Sequence, residues 1–310
     1  MARIGLIDVD GHNFPNLPLM KLSAWHKQQG DQVEWYMPFS ARYDLVYMSK
    51  VFSFTPDFDD AINADVVVRG GTGYCIETVE GREIFHRVKN VPLPDEVEHI
   101  YPDYSLYPTM TKDTAYGFLS RGCPRSCGFC IVGSKEGRCS VKVADLSEFW
   151  RGQRNVVLCD PNILACPDWE ALLGQLIASR ANVDFNQGID IRMMTPEKAH
   201  LLNEIKIKDI HFAWDRYEDK DAILPKLEMF ADVCKRKPHN HNGTVYMITN
   251  YDTTFDQDLD RVNTLRDLGY WPFVMVYNRA HADGKYKRLQ RWVNNRACFM
   301  SVPTYGDYKG

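Results

Sequence analysis

The sequence predicts an α/β protein of two domains: a doubly wound, Rossmann-like domain over residues 1–105, then repeated βα units over residues 106–310. Three observations carry this. Short runs of branched apolar residues alternate with amphipathic stretches at helical spacing, the pattern of parallel strands joined by crossover helices. Stop and start signals stand between them, with Gly30 and Gly269 as helix stops and Thr195-Pro196 as N-cap and first helical residue. A length of 310 residues, 45% hydrophobic and 25% charged, suits two globular domains of ordinary size.

Taken in order, Arg3 to Val9 reads as a buried strand and Leu17 to Gln29 as a helix. Further strands follow at Val33 to Tyr36, Leu45 to Met48 and Val66 to Val68. Gly70, Gly71 and Gly73 then make a tight turn at the carboxyl edge, where such sheets bind ligands. Residues 74–115 are interrupted by Pro92, Pro94, Pro102 and Pro108, and Tyr101, Tyr104 and Tyr107 read as packing residues there. The domain boundary falls near Leu106.

In the second half, strands are expected at Tyr116 to Leu119, Val156 to Cys159, Val183 to Phe185, Asp209 to Ala213, Thr244 to Ile248 and Phe273 to Tyr277. Asp168 to Ser179 is a helix, with Trp169, Leu172, Leu173, Leu176 and Ile177 on one face. Lys220 to Lys235 is another, with Pro225 placed to kink or split it. Asp256 to Leu268 and Leu289 to Phe299 complete the set. Polar residues gather after the strands: Asp160 and Asn162, Asn186 to Arg192, Asp215, Asn250, and Asn278 with Arg279. His211 lies inside a strand and reads as a satisfied core histidine. Cys159 and Cys166 read as buried thiols.

Formal charge is −4, from 37 basic and 41 acidic residues, which argues against a broad nucleic-acid surface. A local basic stretch remains: Arg279, Lys285, Lys287, Arg288, Arg291 and Arg296, with Trp292. It suits an anionic substrate or nucleic acid, or is a solvated helix face. No apolar run is long enough for a membrane span. The opening MARIGLIDVD reads as a first strand, not a signal peptide, so the expectation is a cytoplasmic, reducing location with no membrane partner.

Tyr116 to Gly137 carries the chemistry. Cys123, Cys127 and Cys130 are spaced C-x3-C-x2-C, with Phe129 before the last. Gly122, Pro124 and Gly128 keep the segment a loop, which lets three thiolates converge. In a reducing compartment such thiolates favour iron–sulfur or zinc over disulfides, and nine cysteines is an odd, sparse number for a disulfide framework. A zinc site would need a fourth ligand, for which Cys139 is the candidate.

This segment resembles the radical S-adenosylmethionine (SAM) superfamily. The resemblance implies a partial (βα)6 TIM-type barrel over the second half. It implies a [4Fe–4S] cluster held by Cys123, Cys127 and Cys130, SAM on the fourth iron, and an electron donor such as flavodoxin or ferredoxin. Reductive cleavage of SAM would then start radical chemistry on a substrate the sequence does not name. Phe129 is the family's aromatic. The SAM amino group would meet Asp160 or Asn162, where the family often has Gly-Gly-Glu. After the third strand stand Gln187, Asp190 and Arg192; Arg192 would pair with the SAM carboxylate and Asp190 with a ribose hydroxyl. A structural Asp190–Arg192 pair is the alternative. The first domain resembles the cobalamin-binding modules that precede many such barrels. Asp10 and His12 stand where those modules carry D-x-H-x-x-G, but Pro15 replaces the glycine, and Phe14, Phe52 or Phe54 would crowd a corrin. Cobalamin, and with it methyl transfer, stays open with Pro15 against it. RNA or nucleotide modification through the basic stretch, and a non-catalytic zinc-stabilised binding protein, are the other readings.

Overall fold

The computed structural model describes residues 1–11, 13–79, 82–234 and 241–310. The chain is α/β and is built on two parallel sheets. Ten strands form them: β1 (Arg3–Asp8), β2 (Gln32–Trp35), β3 (Tyr43–Ser49) and β4 (Ala64–Gly70), then β7 (Thr114–Gly117), β10 (Asn155–Leu158), β11 (Asn182–Ile189), β12 (Lys206–Ala213), β13 (Thr244–Thr249) and β14 (Trp271–Val276). The four-stranded sheet has the order β2-β1-β3-β4 and the six-stranded sheet the order β14-β13-β12-β11-β10-β7. Two short strands, β5 (Ile76–Val79) and β6 (Arg82–Phe85), pair as an antiparallel hairpin, and β8 (Ser120–Arg121) and β9 (Val141–Lys142) flank the cysteine segment in sequence. Two compact units result, residues 1–139 with 143–156 and residues 140–142 with 157–310.

In the first unit, helix α1 (Leu17–Gln28) forms where expected. Asn16 caps it: its Oδ1 accepts from the Leu19 amide at 3.3 Å, and its Nδ2 donates to Ser49 Oγ at 2.9 Å, tying the helix start to the end of β3. Leu19 and Leu22 pack on Ile4 and Leu6, with Val97 from the one-turn helix α3 (Asp95–Glu98). Full helical cover of the other face, expected of a doubly wound domain, does not form. No helix lies between β3 and β4; Phe58 and Ile62 of that connection pack against Ile7, Tyr43, Val46 and Met48 instead. The connection carries enough apolar side chains to close the core without a helix.

The prolines and tyrosines of residues 92–108 pack as expected. The Tyr107 hydroxyl donates to Asp8 at 2.8 Å, and that of Tyr104 to the Phe149 carbonyl at 2.6 Å. Burial and then the Asp8 charge push the Tyr107 phenol well above its ordinary range, so it stays a donor. Two more one-turn helices lie nearby, α2 (Thr72–Cys75) and α4 (Pro108–Thr111). The β5–β6 hairpin was not legible, because four-residue strands give too few alternations to register.

In the second unit the side chains of β12, β13 and β14 alternate. Ile210, Phe212, Val245, Met247 and Val274 are buried on the face that carries the helices. Those helices are α6 (Trp169–Ser179), α7 (Pro196–Glu204), α8 (Lys220–Val233), α9 (Phe255–Asp267) and α10 (Gly284–Asn294), while Phe299 of α11 (Arg296–Ser301) meets Trp271 edge-on at 5.2 Å. Phe212 meets Phe230 of α8 edge-on at 5.0 Å, and α9 and α10 pack on β14. Pro225 stands inside α8 without splitting it. The single helix expected over 289–299 is two, broken at Asn295, whose Oδ1 caps α11 by accepting from the Cys298 amide at 3.1 Å. Asn294, one residue earlier, docks on β14: its Oδ1 accepts from the Val274 amide at 2.8 Å and its Nδ2 donates to the Val274 carbonyl at 2.9 Å.

Candidate functional site

The cysteine segment belongs to the first unit and follows β7 and β8. Gly122 has φ +85°, and a Cβ there would stand 2.1 Å from the Cys139 carbonyl oxygen. Only glycine permits so close an approach in that conformation. The Cys123 amide donates to the Gly137 carbonyl at 3.1 Å, and Glu136 takes a 3.4 Å contact from Arg121. The loop is therefore closed at its neck, with Cys139 beside its start. Inside, the Cys130 amide donates to the Cys127 carbonyl at 3.0 Å, and a one-turn helix, α5 (Val132–Lys135), follows. Cys123 and Cys127 are half-buried, and Cys130 and Cys139 are exposed. The donors are soft thiols, apt for iron–sulfur or zinc. Among the described residues, no three His, Cys, Asp or Glu side chains stand gathered as a metal group.

The other candidates belong to the second unit. Asp160 and Asn162 sit just past β10 and are both buried, at 4% and 1% exposure. The Asn162 carbonyl accepts from Ser140 Oγ at 2.9 Å. Cys159 and Cys166 are buried as expected, and burial pushes the Cys166 thiol up, away from reactive thiolate. Gln187 is exposed, in a stretch of β11 where the register with β12 slips between Phe185 and Ile189. Asp190 and Arg192 form the pair that the sequence offered as an alternative. Arg192 Nε donates to Asp190 at 2.8 Å and its Nη1 to Asp219 at 2.6 Å. Both carboxylates orient this guanidinium along the strand end.

Beyond β12, the Ile248 amide donates to the Asp215 carboxylate at 3.0 Å, and burial pushes that carboxyl up. Arg261 of α9, with 0% exposure, holds these ends. It donates to the carbonyls of Trp214, Asp215 (2.9 Å) and Ile248 (2.8 Å), and to Asp258. Asn250 and Asn278, after β13 and β14, take positive φ of 59° and 44°.

In the first unit, Asp10 accepts from the amide of Phe52 at 3.3 Å, from the Thr55 hydroxyl at 2.6 Å and from the Val51 amide. It is thus committed to the β3–β4 connection. Gly71, at φ +97°, would place a Cβ 2.3 Å from the Lys50 carbonyl oxygen. Of the three glycines expected to form a turn, Gly71 lies between elements, whereas Gly70 ends β4 and Gly73 lies in α2, its amide donating to the Lys50 carbonyl at 2.8 Å. His12 lies outside the described residues. Phe14 packs edge-on to Tyr116 at 5.2 Å, and Phe52 and Phe54 stack on each other at 5.2 Å, half or more exposed.

Along the basic stretch, Trp292 is fully buried and serves the core. Lys285 lies over the rings of Phe255 and Tyr286, Arg288 over that of Tyr305, and Arg296 over that of Trp271. No described helix is long and apolar enough to cross a membrane. No protein-family model matches the chain, and no curated protein matches it.

A set missed in the sequence lies on the face of β12 to β14 opposite Ile210, Phe212 and Val245. His211 is close to Asp209 (3.4 Å) and to the Tyr246 hydroxyl (2.9 Å). Its signal was D-x-H on one strand and T-x-Y on the next, polar residues at every second position of a sheet face.

Proposed function

We propose that this chain is a radical SAM enzyme. The supporting observation is the C-x3-C-x2-C loop placed directly after the first strand of a six-stranded parallel sheet. That sheet runs β7-β10-β11-β12-β13-β14 without reversal. Sequential parallel order is what a barrel segment shows, and barrel chemistry sits at the carboxyl ends of the strands. The finer reading of a partial (βα)6 barrel rests on this order. The first sheet's order changes direction between β1 and β3, which supports a Rossmann-like reading of that unit although one face lacks its helical layer.

In this reading Cys123, Cys127 and Cys130 hold a [4Fe–4S] cluster, with Phe129 beside them. A cluster held there would supply the electron for reductive cleavage of SAM, replenished by a flavodoxin- or ferredoxin-type donor in the cytoplasm. Asp160 or Asn162 would meet the SAM ammonium and Asp190 a ribose hydroxyl, with Gln187 on the same strand end. Arg192, held by Asp190 and Asp219, would orient the SAM carboxylate. Cobalamin, and radical methyl transfer with it, is not favoured, because Asp10 is engaged by Val51, Phe52 and Thr55.

The second reading is a zinc-stabilised protein with Cys139 as the fourth ligand, its backbone lying against the neck of the loop at Gly122. Metal and sulfide analysis of anaerobically reconstituted protein separates the two. About four irons with acid-labile sulfide, lost on Cys123→Ala, Cys127→Ala or Cys130→Ala and kept on Cys139→Ala, is the expected result. With dithionite the wild type should also form 5′-deoxyadenosine from SAM. Stoichiometric zinc, lost on Cys139→Ala, would overturn the proposal.

A further inference from the structure

The face of β12, β13 and β14 opposite Ile210, Phe212 and Val245 opens, beside α11, into a cavity of about 410 Å³, within the range of small-ligand sites. Its lining residues all belong to the second unit. Trp271 and Phe273 of β14 form an aromatic wall, Asp209, His211 and Tyr246 the polar floor, and Arg296 a cation. The Arg296 guanidinium lies 5.0 Å over the Trp271 ring, and His241 and Thr244 also line the space. Asn294 does not count as a reading group, since its amide is spent on Val274. Asp209 accepts from the Ile210 amide at Oδ1 (2.9 Å) and faces His211 at Oδ2, and each carboxylate oxygen has a second lone pair to offer a ligand.

The floor is hydrogen-bonded in a definite sense. His211 Nδ1 lies 3.2 Å from the Asn186 carbonyl and 2.9 Å from the Tyr246 oxygen, and Nε2 lies 3.4 Å from Asp209. A carbonyl and a carboxylate can only accept, so imidazolium satisfies both. Burial opposes that charge. The bond to Asp209, its charge, the Asn186 carbonyl and the Asp184 charge outweigh burial and raise the His211 pKa. With Nδ1 donating, Tyr246 need not give its own proton to His211. Burial, then the Asp209 and Asp184 charges, push the Tyr246 phenol up to about 12, so that proton stays on and can be donated.

We propose that this cavity binds a nucleoside monophosphate, its base against Trp271 and Phe273, its edge read by Asp209 and Tyr246, and its phosphate at Arg296. A flat ring suits the aromatic wall. An edge carrying both an N–H and a carbonyl matches a carboxylate acceptor beside a phenol donor, which a simple aromatic acid does not. The guanidinium then takes the anionic end.

The test is calorimetric titration of the full-length protein, purified in air and without SAM, so that the result is separate from that of the cysteine chemistry. The ligands are AMP, GMP, CMP and UMP, their nucleosides, inorganic phosphate and benzoate. At least one monophosphate should bind with Kd below 1 mM, about −4.1 kcal/mol. Tyr246→Phe should weaken it roughly tenfold, as loss of one buried hydrogen bond does. Arg296→Gln should weaken the monophosphate roughly tenfold or more and leave its nucleoside unchanged. Circular dichroism confirms that each variant is folded, and His211→Asn serves as a second probe of the floor should Tyr246→Phe fail that check. No monophosphate binding, binding unmoved by both variants, or benzoate bound as tightly as the nucleotide would overturn the proposal.

Discussion

At the carboxyl end of the first sheet, Asp10 collects two amides and a hydroxyl of the β3–β4 connection, and the backbone at Gly71 closes on Lys50. At the same end of the second sheet, β12 and β13 are gathered by one guanidinium, that of Arg261, with Asp258 as its counter-ion and 0% exposure for both. Arg261 Nε and Asp258 Oδ2 have no hydrogen-bond partner among the described residues. The first device is peripheral and divided among several weak contacts. The second is buried and concentrated in a single pair. A buried pair adds little net stability when intact but costs heavily when halved, because the remaining charge is stranded.

That contrast orders the expected effects. Arg261→Ala leaves Asp258 buried without its cation and should cost about 4 kcal/mol in urea denaturation followed by tryptophan fluorescence. Replacing both, Arg261→Met with Asp258→Leu, should recover much of it. If the double variant is no better than the single one, the guanidinium matters for its carbonyl contacts and not its charge. Gly71→Ala drives a Cβ into the Lys50 carbonyl at a positive φ and should cost about 3 kcal/mol. Asp10→Ala loses three acceptor contacts at a half-exposed site, for about 1.5 kcal/mol. A larger loss for Asp10→Ala than for Arg261→Ala would invert the comparison.

The smallest effect separates the units by pH. Both His211 and His99 have folded pKa values raised above 6.5. At His99 the bond to Glu148 is the main cause. A raised pKa means the folded state holds the proton more tightly. The stability gained is full below the unfolded value of about 6.5 and is lost as pH rises through the folded value. The thermal midpoint should therefore fall as pH rises on the alkaline side of 6.5. His211→Asn should flatten that decline more than His99→Asn, because His99 is half exposed and screened. Equal flattening would show that burial does not set the size of the term.

Much of the layout was legible in the sequence. All ten strands of the parallel sheets and the long helices follow from apolar spacing, and the cap read at Thr195 stands at its helix start. What escaped has a physical reason in each case. The division at Asn295 depends on a side chain turning back to cap the next helix. The missing helical layer on the first sheet depends on Phe58 and Ile62 reaching its face, a tertiary fact. The cysteine loop was visible as spacing, whereas its closed neck at Gly122 needed coordinates. Asp190 with Arg192 was read as either ligand contact or internal pair, and the pair forms. The His211 set escaped because its members lie on separate strands and meet only across the sheet.

The docking of Asn294 on β14 has a consequence for the chain's solubility. The Trp271 and Tyr277 amides donate inward to the carbonyls of Gly243 and Thr249, so the even-numbered amides of β14 face outward, on the sheet's last edge. Pro272 has no N–H to offer there, and that of Val274 is taken by the Asn294 carboxamide, with Gln290 Nε2 also on the Val274 carbonyl at 3.1 Å. At Pro272 and Val274 the edge is blunted against pairing with a strand from another molecule, for which an open edge is a template. Replacing Asn294 by a side chain without an amide would expose that template, and self-association through β14 would follow before any loss of fold.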